Sequence, residues 1–408
     1  MDIIGPRRRA TLARFTQLAA KGQGYANLCH LSLNNQINLS DIAVARIMPH
    51  LRHVERLELR GCVKVSDKTM EAVAEHCART LRYLNVGMTG TTLAGLGCVV
   101  RYCRELETFK VAEIERYKDK MWIAMLEQAA EQASRASYET GRSSDMAASI
   151  GGGSQRRRDE LATSQASPSP PPLSKLKNLK LHGTNISNAG LKAFLRLCGQ
   201  TLERLDISRT KVTRLQPIIN HCITILPAPS EAVVVRSNLE KLNISFVFFH
   251  LQDLEILLNH LSNATTLPSS AASTSQTYPL TSSPKFHTLL AGRLEINKER
   301  RLLDNSALDQ LVPSLAQLTH LRRLSLYAND HLGGKPEDGA VWRLLRRMRG
   351  SLRVLDLSRT NVRERNLAGL VEAREKLVTP DKVEEPLQFT RNEVLEDLDI
   401  SFTAVDDD

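Results

Sequence analysis

The sequence predicts an α/β solenoid, one body grown by stacking short repeats, on three observations. The same pattern recurs three times between Val54 and Val111: an L-x-x-L-x-L stretch, a turn, a helical pattern ending in Cys, then the next stretch. Leu57, Leu84 and Phe109 hold the same place in successive copies, 27 and 25 residues apart. Within each copy the apolar spacing switches from strict alternation to a helical period, so strand and helix take turns along the chain. One such repeat cannot bury its own apolar face, and copies must therefore stack.

A period of about 20–29 residues with this motif is that of leucine-rich repeats. The expected architecture is a horseshoe with a parallel concave sheet, convex helices and about ten to eleven repeats, interrupted by two disordered loops. Alternate side chains of a strand point to opposite faces, so Leu57 and Leu59 point inward and Arg56, Glu58 and Arg60 outward. Leu84 and Val86 repeat the inward pair, with Tyr83, Asn85 and Gly87 outward. Gly61 and Cys62 make the turn, and Ser66 ahead of Asp67 stands where a helix N-cap is expected. Met70, Val73, Ala74 and Cys77 follow at helical spacing and cover the sheet.

Arg60-Gly61-Cys62, Val65-Ser66-Asp67 and Glu75-His76-Cys77 before Leu81 resemble the cysteine-containing, ribonuclease-inhibitor-like subtype of leucine-rich repeat. Tyr102-Cys103 before Leu106 and Leu197-Cys198 before Leu202 repeat the cysteine at the helix end. This subtype is typical of F-box leucine-rich-repeat proteins and of the antagonist-of-mitotic-exit and Rad-seven-type families. The resemblance implies substrate recognition in a cullin-type ubiquitin ligase pathway, with cullin-ligase subunits as partners. An F-box, a helical module of about forty-five residues in that family, does not fit ahead of the first repeat, and here the sequence departs from the F-box pattern.

Taken in order, residues 1–24 are basic and carry one short helical pattern, Leu12, Phe15, Leu18 and Ala19, fit for a cap or tail. The first N-terminal block of repeats spans 25–126, starting at Leu28-Cys29-His30-Leu31-Ser32-Leu33 and ending in a helix with Trp122, Ile123 and Leu126. Residues 127–173, rich in Ala, Ser, Gly and Pro, lack the apolar content to offset ordering entropy and are expected to be a disordered insertion. It is either a tolerated surface loop or a regulated, partner-binding segment. A C-terminal block of repeats spans 174–408, with strands at Leu179, Leu205, Leu242, Leu324, Leu355 and Leu398 and a weaker one at Arg293–Ile296. Beyond Thr213 the repeats lengthen, so the surplus has to loop out, and a Ser/Thr/Pro-rich stretch at about 262–284 reads as a second disordered loop.

Composition narrows the function. The chain is 42% hydrophobic but only 4% aromatic, which suits a core of Leu, Ile, Val and Ala. The seven cysteines form no C-x-x-C pair, and buried thiols in a reducing compartment fit them better than disulfides or a metal site. No apolar leader follows Met1 and no run approaches the ~18 apolar residues of a membrane span, so the expected location is cytoplasmic or nuclear. A net charge of +10 invites nucleic-acid binding, but the basic residues are spread out and aromatic stacking platforms are scarce.

No phosphate-cradling loop, dinucleotide fingerprint, H-E-x-x-H or G-x-S-x-G is present, so neither an enzyme nor a cofactor is expected. Arg209 and Arg359, offered as GTPase-activating arginines, occupy equivalent turns and read as repeat positions. What remains is the concave face, which a protein partner would occupy. Arg56, Arg60, Tyr83, Arg323 and Tyr327 depart most from a bland repeat there, and Arg and Tyr dominate binding energy at interfaces. They are the candidate partner-binding residues. A ligase-independent adaptor is the alternative to the ligase reading.

Overall fold

The structure is a computed structural model describing residues 27–132 except 115, 171–227, 233–262, 264–265, 286–296, 301–334, 339–367, 370 and 395–403. The expected N-terminal cap (1–24), most of the 127–173 insertion and most of the 262–284 loop lie outside these residues. The chain falls into two compact units, one running to Asn178 and including Arg196–Cys198, the other made of Leu179–Leu195 and the chain from Gly199 onward.

In the first unit, strands β1 (His30–Ser32), β2 (Arg56–Glu58), β3 (Tyr83–Asn85) and β4 (Thr108–Lys110) lie parallel in that order. Leu31, Leu57, Leu84 and Phe109 stand in register at their centres, all buried. Helices α1 (Asp41–Ile47), α2 (Asp67–His76), α3 (Leu93–Tyr102) and α4 (119–132) follow the strands. Val44, Ile47, Met70, Val73, Leu96 and Val99 bury the inner helical stripe against the strand leucines. Each leucine so buried contributes about 1.5–3 kcal/mol.

The second unit repeats this plan with longer returns. Its main sheet runs β5 (Asn178–Lys180, in this unit from Leu179), β6 (Arg204–Asp206), β9 (Lys241–Asn243), β12 (Thr288–Leu290), β15 (Arg323–Ser325), β16 (Val354–Asp356) and β17 (Asp397–Asp399). The surplus after β6 does not loop out. It folds as β7 (Ile223–Pro227) antiparallel to β8 (Val233–Ser237), with β11 (Ala264–Thr265) parallel to β8. A further small sheet pairs β10 (Phe248–Phe249) with β13 (Glu295–Ile296) and β13 with β14 (Arg301–Leu302). The helices of this unit include α5 (Asn188–Cys198, continuous across the unit boundary), α6 (Gln216–Cys222), α7 (Leu251–Ser262), α8 (Asn305–Gln317), α9 (Ala340–Arg347) and the short α10 (Glu364–Leu367).

The weak strand expected at Arg293–Ile296 is therefore not the repeat strand. Leu289 stands in register between Leu242 and Leu324, which makes Thr288–Leu290 the ladder strand. The backbone explains why. In every repeat the residue four places after the central apolar residue is left-handed: Asn35, Gly61, Met88, Glu113, Gly183, Arg209, Phe246, Arg293, Ala328, Arg359 and Phe402. Arg293, at φ 42°, is the turn residue of this repeat, and the buried Leu294 follows it as Cys62 follows Gly61.

Adjacent repeats are also tied sideways through polar side chains at the helix starts. Asp41 accepts from the Ser66 amide and the Thr69 hydroxyl, both at 2.7 Å, and from the Ser66 hydroxyl. Ser66 is thus the N-cap residue by position, but its side chain reaches the preceding repeat and does not cap its own helix. Asp67 takes the same role one repeat on, accepting from the Thr92 amide at 2.6 Å and hydroxyl at 2.5 Å. In the second unit Asn188 accepts from the amides of Thr213 and Arg214, each at 2.9 Å, and Asn305 exchanges two hydrogen bonds with the Gly333 backbone.

The repeat cysteines act in the same direction. The Cys62 thiol donates to the Leu33 carbonyl at 2.9 Å and the Cys77 thiol to the Leu51 carbonyl at 3.5 Å. A small apolar residue with one weak donor fits a closed site facing a carbonyl of the preceding repeat. Burial pushes the thiols up, Cys77 to about 11 and Cys103 to about 12.

Two expected outcomes follow from this packing. Burial alone would raise the Asp41 carboxyl, but the bonds from Ser66 and Thr69 outweigh it and hold the group below its ordinary value. Its stabilisation is complete above the unfolded carboxyl value of about 3.9 and is lost as pH falls through the lower folded value. Asp41→Ala should therefore cost about 2 kcal/mol at pH 7, with a smaller deficit at pH 3, measured by urea titration. In the native protein, iodoacetamide should modify exposed Cys29 while Cys62, Cys77 and Cys103 react only after unfolding, read by peptide mass spectrometry.

Candidate functional site

The strands leave one face of each sheet without covering helices, and alternation decides what stands there. In the first unit His30, Arg56, Tyr83 and Thr108 form one lateral row, and Ser32, Glu58, Asn85 and Lys110 the next. Adjacent rows of short, parallel strands bring distant residues within side-chain reach. The Arg56 guanidinium lies 3.8 Å from the centroid of the Tyr83 ring, and the Lys110 ammonium lies 4.9 Å from the same centroid. Two cations against one aromatic ring hold that ring in place, each contact contributing about 0.5–1 kcal/mol at an exposed site.

Arg56 is further fixed by Glu58, to which it donates from Nε at 2.8 Å and from a terminal nitrogen. Glu58 also accepts from Asn34 Nδ2 at 2.5 Å and Ser32 Oγ at 3.3 Å. Burial works against the charged carboxylate, but the bonds from Arg56, Asn34 and Ser32 prevail and hold Glu58 below the usual carboxyl range. The result is a preorganised polar cluster with Tyr83 at its centre. Arg60 is not part of it. Its guanidinium reaches Glu113 Oε1 at 3.3 Å and the Met88 sulfur at 3.9 Å, along the row of turns.

In the second unit Arg323, Ser325 and Tyr327 point outward from β15. The Tyr327 ring meets Phe246 edge-on at 5.7 Å, and Arg209 lies 4.6 Å from the Phe246 ring centroid. Glycine at 292 leaves room for the Tyr327 ring, since a Cβ there would run into its Cδ1 and Cε1. Arg323 stands apart from this platform, exposed, in the lateral row that also holds Arg204, Lys241 and Thr288. Arg209 and Arg359 occupy equivalent left-handed turns, at φ 53° and 55°, and each guanidinium faces an aromatic ring, Phe402 in the case of Arg359.

Of the five residues read from the sequence, Arg56 and Tyr83 come together, Arg60 pairs elsewhere, and Arg323 on β15 and Tyr327 in the turn after it belong to different clusters. Sequence reasoning missed Phe246, Gly292 and Thr288. The first is a turn residue, visible only once the fourth position after each central apolar residue is recognised as left-handed. The other two were hidden by placing the repeat strand five residues too late, centred on Leu294 and not on Leu289. Among the described residues no group of three His, Cys, Asp or Glu side chains could hold a metal ion, and no helix is long and apolar enough to cross a membrane.

No family model matches the chain. It is similar to a chain in the crystal structure of a Rad7 and Elc1 complex from yeast, at 14% identity and a TM-score of 0.46, covering 96% of this chain and 77% of that one. A leucine-rich-repeat protein of Leptospira interrogans is similar at 14% identity and a TM-score of 0.37, over 95% and 82% of the two chains. An internalin C2 of Listeria monocytogenes is similar at 13% identity and a TM-score of 0.35, over 86% and 93%. Assignment of the leucine-rich-repeat fold rests on the register and the turn column, and at such identities no residue role or partner carries over.

Gly292→Ala should push the Tyr327 ring off Phe246. With tyrosine ring carbons labelled, the Tyr327 resonance should move as far as it does in Phe246→Leu, while the melting midpoint stays within about 3 °C of the wild type.

Proposed function

We propose that the chain is a protein-interaction scaffold that holds a protein partner on the open strand face of its repeats. The observation that carries this is the Arg56–Tyr83–Lys110 cluster, an aromatic ring held between cations on a helix-free polar surface. Tyr loses little side-chain entropy on contact, Arg56 is already held by Glu58, and Tyr and Arg are enriched among the residues that dominate binding energy at such surfaces. The Phe246–Tyr327 platform offers the same chemistry in the second unit.

The finer reading, substrate recognition in a cullin-type ubiquitin ligase pathway, is supported by the resemblance of the cysteine-containing repeats to those of F-box leucine-rich-repeat proteins. Buried thiols are in keeping with a reducing cytoplasmic or nuclear setting. A ligase-independent adaptor would use the same face and differ only in the absence of cullin-ligase subunits.

The test is affinity capture from cell extract with the wild type beside the Arg56→Glu, Tyr83→Ala double variant, followed by quantitative mass spectrometry. A partner retained by the wild type and depleted at least tenfold by the double variant is the expected result. Cullin-ligase subunits recovered equally with both proteins would support the ligase reading, and their absence from both would leave the adaptor. An identical protein list from both baits would overturn the assignment of this face.

A further inference from the structure

The open face of the second unit carries its cations in one place. Arg204, Lys241, Thr288 and Arg323 stand side by side in register on β6, β9, β12 and β15, with Lys180 on β5 close by. Parallel strands lie about 4.8 Å apart, so Lys241 and Arg323 flank Thr288 at about 10 Å from each other. Lys180 is balanced by Asp206 at 3.2 Å, and Arg204 by Glu240 at 3.8 Å, which His287 also approaches at 4.0 Å. No carboxylate among the described residues lies within ion-pair distance of Lys241 or Arg323. Thr288 between them is only 5% exposed, and its hydroxyl lies 2.8 Å from His287 Nδ1.

We infer that Lys241, Thr288 and Arg323 form an anion-recognition site on this face, taking an acidic side chain of a protein partner, either carboxylate or phosphate. The proposal rests on the reading of the face as a partner surface and adds the chemistry of what it accepts. Lys241 and Arg323, with no carboxylate of the described residues at ion-pair distance, stand on either side of buried Thr288, so an anionic group laid over it meets charge from both sides. Burial pushes the Lys241 ammonium down, the neighbouring Arg323, Arg204 and Lys180 charges push it further, and Asp206 opposes them. A bound anion relieves that penalty on the charged form of Lys241. Toward β16 and β17 the face turns acidic at Asp356, Asp397 and Asp399, so an acidic segment is drawn to one end of the unit and repelled from the other.

Fluorescence anisotropy on the full chain tests this with two labelled probes, octaglutamate and a Gly/Ser peptide bearing phosphoserines of matched charge, beside neutral octaglutamine. Lys241→Gln with Arg323→Gln should weaken both acidic probes at least tenfold, while Lys241→Arg with Arg323→Lys stays within about threefold of the wild type. Lys64→Gln with Lys68→Gln, removing equal charge from exposed positions of the first unit, should change binding less than twofold. The tighter probe identifies the source of the anion. Absence of binding to both probes, or equal loss in the Lys64 and Lys68 variant, would overturn the site. Such a failure leaves the scaffold reading intact if the Arg56→Glu, Tyr83→Ala variant still loses its cellular partner, and that reading fails by itself if no partner is lost.

Discussion

Each repeat depends on one backbone device, a left-handed residue four places after the strand's central apolar side chain, whose N–H reaches the next repeat. The Asn35, Gly61 and Met88 amides donate to the carbonyls of Arg60, Gly87 and Ala112 in the first unit. In the second, those of Gly183, Arg209, Phe246, Arg293, Ala328 and Arg359 donate to Ser208, Ser245, Gly292, Tyr327, Ser358 and Ser401. The three-residue strands supply few ladder bonds, so this donor extends the ladder beyond the strand and turns the chain toward its helix. Most residues in the column are not glycine, and a left-handed L-residue costs roughly 1–2 kcal/mol. The cost persists because a different backbone conformation there would orphan a buried donor and misalign the strand.

The same residues create the working surface. A left-handed turn aims its side chain outward beside the open strand face, which is why Met88, Arg209, Phe246, Arg359 and Phe402 are displayed there. Phe402 is 82% exposed. Strain in the turn and display at the rim are two consequences of one geometry. The aromatic platform follows from it, since Phe246 in its turn, Tyr327 in the turn after β15 and Gly292 against the ring belong to neighbouring repeats.

Polar groups reinforce the stack where apolar packing ends. Asp41, Asp67, Asn188 and Asn305 each collect donors from the next repeat, and the Cys62 and Cys77 thiols reach back to carbonyls of the preceding one. These contacts carry direction along the chain that leucine burial lacks, because a hydrogen bond fixes register and a hydrophobic contact does not. Among the described residues, part of the surplus of the lengthened repeats after β6 and β9 folds into two small secondary sheets outside the main ladder.

Sequence by itself determined the repeat, the inward leucines, the cysteine positions and most outward rows, because strand alternation and helical spacing are local and every copy restates them. It placed Arg56 and Tyr83 outward on their strands without revealing that one lies against the other, since strand pairing sets that contact across 27 residues of chain. Only the tertiary structure decided that Thr288–Leu290 is the ladder strand. Both Leu289 and Leu294 are buried, and local apolarity cannot tell a strand centre from the buried residue that follows the left-handed turn. The pairing of Leu289 with Leu242 and Leu324 resolves the choice and places Thr288 between Lys241 and Arg323. A slip of a few residues leaves the apolar count almost unchanged but replaces every side chain on the open face, because strand alternation is local and strand pairing is not.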